Sequence, residues 1–161
     1  MKKNSITHLE AVTLVIAGLF IGTVFTFGMR YWNAPVAREE AVAVTAVLSS
    51  SLESRDDGDV KEILLRFEDH QQLHIDGACI TDELRSRVSA ITPGTTLSLL
   101  VHPNSSTVME LRVGEETLME FEYAAEKLTR EADMFMGLGI FLYAMAAWGL
   151  ASLILRKLKK L

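Results

Sequence analysis

Two stretches without a charged side chain decide the fold: AVTLVIAGLFIGTVFTFGM at residues 11–29 and MFMGLGIFLYAMAAWGLASLIL at residues 134–155. As α-helices they would be about 28 and 33 Å long, which matches a bilayer hydrocarbon core of about 30 Å. Soluble core helices are the main alternative, but soluble domains rarely need two charge-free runs of this length, one near each end of the chain. The sequence therefore predicts transmembrane helices at residues 11–31 and 134–155.

A cleaved signal peptide is the other alternative for the first run. Lys2 and Lys3 supply a basic start, and small residues follow at positions 34–37. The apolar run is long for a signal, however, and Pro35 lies three residues before the best cleavage position. We therefore expect the first helix to be retained.

The charges that flank the two runs predict their orientation. The tails, residues 1–10 and 156–161, contain six Lys and Arg residues, against Arg30, Arg38, Lys127 and Arg130 near the opposite ends of the runs. By the positive-inside rule we expect a multi-pass protein of the cell membrane with both termini in the cytoplasm and the middle of the chain outside it. Tyr31 and Trp32 would then lie at the outer membrane interface.

The region between the two runs is acidic. Residues 30–133 contain 20 Asp and Glu against 10 Lys and Arg, whereas the whole chain has a net charge of −5. Such a surface repels phosphate backbones, so nucleic acid is excluded as a partner. A basic or cation-bridged partner is compatible with it, and a merely solvated acidic face is the alternative.

Alternating apolar residues and turn signals predict five strands in the middle region. Asp57-Gly58 is a strong hairpin signal between the first two strands, and a short third strand is expected at residues 73–76. The inward-facing residues of the four longer strands would be Val42, Val44, Ala46 and Leu48; Ile63, Leu65 and Phe67; Leu97, Leu99 and Val101; Met109, Leu111 and Val113.

A helix is predicted between the third and fourth strands. Thr81 is its expected N-cap, and Leu84, Val88 and Ile91 recur on one face. The order β-β-β-α-β-β is that of an OB-type barrel, in which a helix caps a five-stranded, partly open sheet. We therefore expect an α+β membrane protein with an OB-like domain at residues 41–114, after a linker at residues 32–40. A small sandwich, or a sheet with one packed helix, would give the same order.

An amphipathic juxtamembrane helix is predicted at residues 115–133, leading into the second span. Apolar residues there are spaced in a heptad-like pattern. We expect this helix to serve as a rigid connector, with a self-associating stalk as the alternative. The stripe consists of Leu118, Phe121, Ala125, Leu128, Ala132 and Phe135.

The apolar runs offer no residues for a proton relay or an ion path, so transport is not expected. Gly18 and Gly22 form a GxxxG pair, and Ala147 and Ala151 form a second pair of small residues. Both pairs permit close helix packing, either of the two spans against each other or in an oligomer.

Candidate chemistry in the middle region is sparse. Asp69, His70, His74, Asp76 and Cys79 are close in sequence, but their spacing fits no recognised metal-ligand pattern, and His74 is expected to face solvent. The aspartates at positions 56, 57 and 59 lack the later bidentate Glu of an EF-hand and are more simply a turn. Asn104-Ser105-Ser106 fits a glycosylation sequon, which matters only in a source with that machinery.

Enzyme motifs are absent as well: the sequence has no GxSxG, HExxH, GxxxxGK[ST] or GxGxxG. We therefore predict no enzyme activity and no catalytic, cofactor-binding or metal-binding residue. Cys79 is the single cysteine, so no internal disulfide is possible. A buried small residue is its expected role, and a disulfide between two chains is the alternative.

Residues 92–111, TPGTTLSLLVHPNSSTVMEL, and 114–128, GEETLMEFEYAAEKL, resemble small bacterial membrane proteins in which a β-domain of unknown function lies between two transmembrane helices. The resemblance implies a bacterial envelope protein with an extracytoplasmic OB-like domain. It implies no activity, substrate or site residue.

Since no catalytic or ligand-binding residue is predicted, we expect the function to depend on the membrane location of the middle domain and on the molecules that it binds. The leading expectation is a membrane-anchored interaction or scaffold module whose partners are the lipid bilayer and a protein, or a second copy of itself. The alternatives are an accessory subunit that docks through its spans on a larger membrane complex, and an enzyme or metal-dependent domain.

Overall fold

The computed structural model describes residues 8–29 and 35–158, and this part of the chain contains three α-helices and six β-strands. Residues 1–7 and 159–161 of the predicted tails, and Tyr31 and Trp32 of the predicted interface, lie outside the described residues. The described residues form two compact units, residues 8–29 with 132–158 and residues 35–131.

The first unit is made of one long apolar helix and the apolar part of a second, whose residues up to Glu131 belong to the other unit. Helix α1 spans His8–Thr23 and continues with π-helical geometry over Val24–Met29, and α3 spans Phe121–Leu158. Both are long and apolar enough to cross a membrane. Large apolar side chains are exposed along both helices, among them Phe20, Phe27, Phe141 and Trp148.

Small residues bring α1 close to the C-terminal part of α3. A Cβ atom on Gly18 would lie 2.8 Å from the carbonyl oxygen of Leu142, and one on Gly22 would lie 3.3 Å from that of Gly139. The predicted packing of the two apolar runs through Gly18 and Gly22 is therefore confirmed. The second pair of small residues, Ala147 and Ala151, is exposed and does not take part in this packing.

The second unit is built on one open antiparallel sheet, so the α+β class is confirmed. The strands lie in the order β3-β2-β1-β4-β5-β6, and each is antiparallel to its neighbours. They are β1, Val42–Asp56; β2, Asp59–Phe67; β3, Leu73–Asp76; β4, Thr96–Val101; β5, Val108–Val113; and β6, Glu116–Met119.

Strand β1 organises the sheet because it is long enough to pair with two neighbours. Its first half pairs with β4, from Val42 opposite Val101 to Val47 opposite Thr96, and its second half pairs with β2. A register shift after Leu48 lies where the strand changes partner, and such irregularities bend a strand. The predicted turn at Asp57-Gly58 is present, and both residues have the positive φ that this turn requires.

The alternating pattern predicts most of the core correctly. Ala46, Leu48 and the inward residues of β2, β3 and β4 are buried, and Val42 at the start of β1 is exposed. Helix α2, Asp82–Ser89, begins at the predicted cap, where the Leu84 amide donates to Thr81 Oγ1 over 3.1 Å. Its residues Leu84 and Val88 complete the core from one side of the sheet.

The predicted helix at residues 115–133 is wrong at its start. Residues Glu116–Met119 form strand β6, and α3 begins only at Phe121. A tight turn at Gly114, which has a φ of 60°, folds β6 back onto β5. Backbone pairing with β5 therefore decides the conformation of this stretch, and the sheet has six strands instead of five.

Strand β5 also departs from the alternating pattern. Val108, Met109, Glu110 and Leu111 are all buried, so both faces of this strand are covered. On the face away from the predicted core, the cover includes Arg38 from the turn before β1, which pairs with Glu110. The burial of Glu110 therefore depends on a segment that is remote in sequence.

Candidate functional site

The buried carboxylate of Glu110 is held by one cation. The Glu110 side chain is 9% exposed and forms an ion pair with Arg38, which also lies 3.5 Å from the carboxylate of Glu122. The guanidinium carbon of Arg38 is 5.6 Å from the centre of the Phe121 ring. Arg38 therefore joins the turn before β1, the middle of β5 and the first turn of α3. No pattern in the sequence signals this cluster.

A second polar cluster lies where β3 meets the loop before β5. His74 Nδ1 is 3.1 Å from Ser106 Oγ, and His74 Nε2 is 3.2 Å from Thr107 Oγ1. The backbone amide of His74 donates to the carbonyl oxygen of Ser106 over 3.0 Å, and His74 and Thr107 form an isolated parallel bridge. His74 is half-buried, so the expectation that it faces solvent is wrong: the β4–β5 loop covers it.

The other residues considered for metal binding have separate structural roles. His70 Nδ1 lies 3.0 Å from the carbonyl oxygen of Gln71, and its ring meets Phe67 edge-on. The carboxylate of Asp76 accepts the Ala78 amide over 2.8 Å and caps a short 3₁₀ turn. Within residues 8–29 and 35–158, no group of three or more His, Cys, Asp or Glu side chains could hold a metal ion.

The hairpin aspartates are likewise engaged in the turn. Asp56 forms an ion pair with Lys61, and this contact lowers the pKa of the Asp56 carboxyl. Asp57 occupies the turn with a φ of 49°. Asn104 of the sequon is exposed, and its backbone N–H donates to His102 Nδ1 over 3.2 Å.

Cys79 is fully buried in the core of the second unit. Burial raises the pKa of its thiol to about 12, and the nearby carboxylates of Asp76 and Glu131 add to the shift. The Glu131 carboxyl has a raised pKa too, because of its burial and the charge of Asp76. A thiolate is the reactive form of cysteine, so Cys79 is chemically inert in the folded domain.

The surface of the second unit has more carboxylates than its cations can pair. Most of the basic residues there are already in ion pairs: Arg38, Arg55, Lys61, Arg85 and Arg87. Exposed carboxylates remain on the turns and on the outer face of α3, among them Asp59, Glu68, Glu115, Glu120 and Glu126. This surface favours basic ligands over acidic ones.

An open groove of about 380 Å³ lies between the C-terminal end of α2 and the β5–β6 hairpin. Half-buried Ile91, Val113 and Leu118 provide an apolar lining. Arg87 and Glu116 form an ion pair at its edge. The groove is therefore partly apolar, and the one acidic residue in its lining, Glu116, is paired with a cation.

Comparison with known proteins gives no relative. No protein-family model, no curated protein and no solved structure matches the chain.

Proposed function

We propose that this protein is a membrane-anchored interaction module. In this proposal, α1 and the apolar part of α3 cross the membrane as a hairpin. The second unit, residues 35–131, which we call the β-domain, then binds a basic segment of a protein partner outside the cytoplasm. The observation that carries the proposal is the contrast between the two units. One exposes large apolar side chains along both helices, and the other has a polar, acidic surface around its own core.

Membrane insertion would explain the exposed side chains of the helical unit. In water, exposed phenylalanine and tryptophan on two adjacent helices would form a large apolar patch, which soluble monomers rarely carry. In lipid the same side chains are in their preferred environment. The hydroxyls of Thr23 and Tyr143 are also consistent with lipid, since Thr23 Oγ1 bonds to Leu19 O at 2.7 Å and to the Tyr143 hydroxyl at 2.9 Å.

Two features of the β-domain support an OB-like architecture as part of this proposal. The long β1 pairs with both β2 and β4, and α2 lies between β3 and β4 in the chain. The bridge between His74 and Thr107 brings β3 and β5 together across the open side of the sheet. OB domains commonly bind extended chains. In this interpretation β6 is an addition to the five-stranded core.

Charge and shape together define the proposed ligand. The exposed carboxylates would attract a lysine- or arginine-rich segment, and the apolar groove would accept one of its apolar side chains. Docking through Gly18 and Gly22 receives no support, because α3 already occupies that face of α1.

The topology can be tested with introduced cysteines. Cys79 is fully buried and so gives little background with thiol reagents. We expect a membrane-impermeant maleimide to label Glu68→Cys on intact spheroplasts, and to label Lys157→Cys only after lysis. Labelling of Lys157→Cys from outside, or no labelling of Glu68→Cys before lysis, would contradict the proposed orientation.

Binding is tested by co-purification of the full chain from native membranes at low and high salt. The proposal expects a partner that is lost at high salt and retained poorly by Glu115→Lys, the exposed neighbour in sequence of Glu116 in the groove lining. Asp59→Lys, at the tip of the β1–β2 hairpin, is the control with the same charge change. The proposal would be contradicted if the wild-type chain and both variants retained the partner equally. It would also be contradicted if the amount of bound partner were the same at low and high salt.

A further inference from the structure

The two edges of the sheet differ in how far they are covered. Strand β3 forms one edge, and the loop before β5 covers it: the His74 amide donates to the carbonyl oxygen of Ser106 over 3.0 Å, and His74 and Thr107 form a bridge. Strand β6, Glu116–Met119, forms the other edge. Within residues 8–29 and 35–158, its backbone pairs with β5 alone. One edge of the sheet is therefore closed and the other is open.

An open edge is a surface on which another strand can pair. In an antiparallel ladder, alternate residues direct their N–H and C=O groups to the neighbouring strand, and the residues between them direct theirs outward. On an edge strand these outward groups have no ladder partner, so an extended segment of another chain can bind them. The backbone bonds of such complexes supply affinity, and pockets for alternate side chains supply specificity.

The groove between α2 and the β5–β6 hairpin supplies such a pocket beside β6. Glu116 and Leu118, two residues apart on the strand, both line it, and Ile91 and Val113 add apolar surface. A segment paired with β6 would therefore place every second side chain at the groove. Helix α2 borders the groove as well, and its Arg87 pairs with Glu116. This contact joins two side chains, and α2 donates no backbone hydrogen bond to β6.

The charges at the two ends of β6 favour a basic segment. Glu115 precedes the strand and Glu120 follows it, and both are exposed. Neither is in an ion pair within the part of the chain that the structure describes. The nearest cation on β5, Arg112, lies opposite Thr117, so alternation places it on the other face of the sheet from Val113 and the groove.

A second copy of the chain fits this edge poorly. If two β6 strands paired antiparallel with Glu116 opposite Met119, Glu115 of each chain would lie opposite Glu120 of the other. Like charges directly opposite each other destabilise a strand pair. A segment with lysine or arginine at those positions would be attracted instead.

We propose that the basic segment of the partner binds by strand addition: it lies extended along β6, pairs with the outward backbone groups of that strand and places alternate apolar side chains in the groove. This mode of binding rests on the function proposed above, since it specifies how the same class of ligand is held. The sheet is then extended by one strand of the partner.

The test uses synthetic peptides and the full chain in detergent micelles at low salt. The parent peptide alternates lysine with valine. Two modified peptides have the same side chains but carry N-methyl groups on every valine or on every lysine, so each lacks the N–H donors of one edge. The peptide methylated on the edge that faces β6 should bind about tenfold more weakly than the parent, because it loses backbone hydrogen bonds to the strand. The other should bind about as tightly as the parent.

Hydrogen–deuterium exchange then locates the bound peptide. At a concentration of the parent peptide about ten times its dissociation constant, exchange of the outward amides of β6 should slow by about tenfold. The β3 segment is the internal control. Its edge is already covered by Ser106 and Thr107, so its exchange should not change.

A pair of leucine variants tests the groove. Leu118→Ala should weaken binding of the parent peptide about fivefold, because it removes apolar surface from the groove lining. Leu52→Ala, at an exposed leucine of β1, is the matched control and should bind like the wild-type chain. The buried thiol of Cys79 should stay unlabelled in both variants, which shows that the β-domain is folded.

The possible results distinguish strand addition from the proposed function. Equal affinities for the two methylated peptides, or unchanged exchange of β6 with the parent peptide bound, would overturn strand addition while basic segments still bind. Wild-type affinity in a folded Leu118→Ala chain would overturn the placement of side chains in the groove. If the parent peptide did not bind at all, both proposals would be wrong. If protection of β6 rose with chain concentration in the absence of peptide, a second copy would occupy the edge, and the proposed occupant would be wrong.

Discussion

Replacing Arg38 by alanine tests how the buried carboxylate of Glu110 is stabilised. Removing one partner of a buried ion pair typically costs about 3–5 kcal/mol, because the other charge is left without compensation. Glu110 is 9% exposed but Arg38 is 44% exposed, so solvent screening lowers the expected loss to about 2 kcal/mol. The lost contact with the Phe121 ring adds about 0.5 kcal/mol. We expect Arg38→Ala to destabilise the β-domain by about 2–3 kcal/mol in total.

Cys79 provides the assay. It is fully buried, so its thiol reacts with a reagent only when the β-domain unfolds. The fraction of chains labelled in a short pulse, measured against urea concentration in detergent micelles, gives the free energy of unfolding of this unit. The full chain is used throughout.

Two further variants decide whether the loss of stability in Arg38→Ala comes from the broken ion pair with Glu110. Arg38→Lys keeps the charge but not the planar fork, and should lose less stability than Arg38→Ala. Adding Glu110→Gln to Arg38→Ala removes the uncompensated charge and should recover part of the loss. A loss below about 0.5 kcal/mol in Arg38→Ala, the range of ordinary surface substitutions, would refute the reasoning, as would a double variant less stable than Arg38→Ala.

Two further predictions concern the helix pair and Glu131 of the second unit. Gly139→Leu should lower the thermal midpoint of the helical circular-dichroism signal in micelles, because the leucine side chain would collide with Thr26. Gly137→Leu is the matched control, since nothing lies within 4 Å of a Cβ atom at that position. Equal midpoints for the two variants would contradict the packing of the helices. Glu131→Gln should stabilise the β-domain at neutral pH. The raised pKa of Glu131 means that the folded chain binds its proton more tightly than the unfolded chain, so wild-type stability falls as pH rises above the unfolded value of about 4.3 until the raised folded value is passed. The Cys79 labelling assay should show this fall in the wild-type chain and a smaller one in Glu131→Gln, and an identical pH dependence would refute it.

Local signals in the sequence predict much of the β-domain. Asp57-Gly58 and Thr81 act through their own backbone neighbourhoods, so the hairpin turn and the start of α2 follow from a few residues. The third strand is present at the predicted residues, Leu73–Asp76.

The features that the sequence did not predict share a physical cause, which is contact between segments that are remote in sequence. The spacing of Leu118 and Phe121 fits a helix, yet pairing with β5 makes Leu118 part of a strand. Alternation in β3 places His74 on the outer face, and only the fold brings Ser106 and Thr107 over it. The burial of Glu110 by Arg38 is of the same kind, because no local pattern encodes a partner 72 positions away.

The sealed position of Cys79 has a consequence for how the chain would behave in an oxidising compartment. A thiol enclosed by the core cannot reach the thiol of a second chain while the domain stays folded. Exposure of Cys79 requires unfolding, and the exposed thiol is then free to oxidise. Disulfide-linked dimers on a non-reducing gel would thus mark molecules that had lost their fold, and their abundance would record damage rather than native assembly.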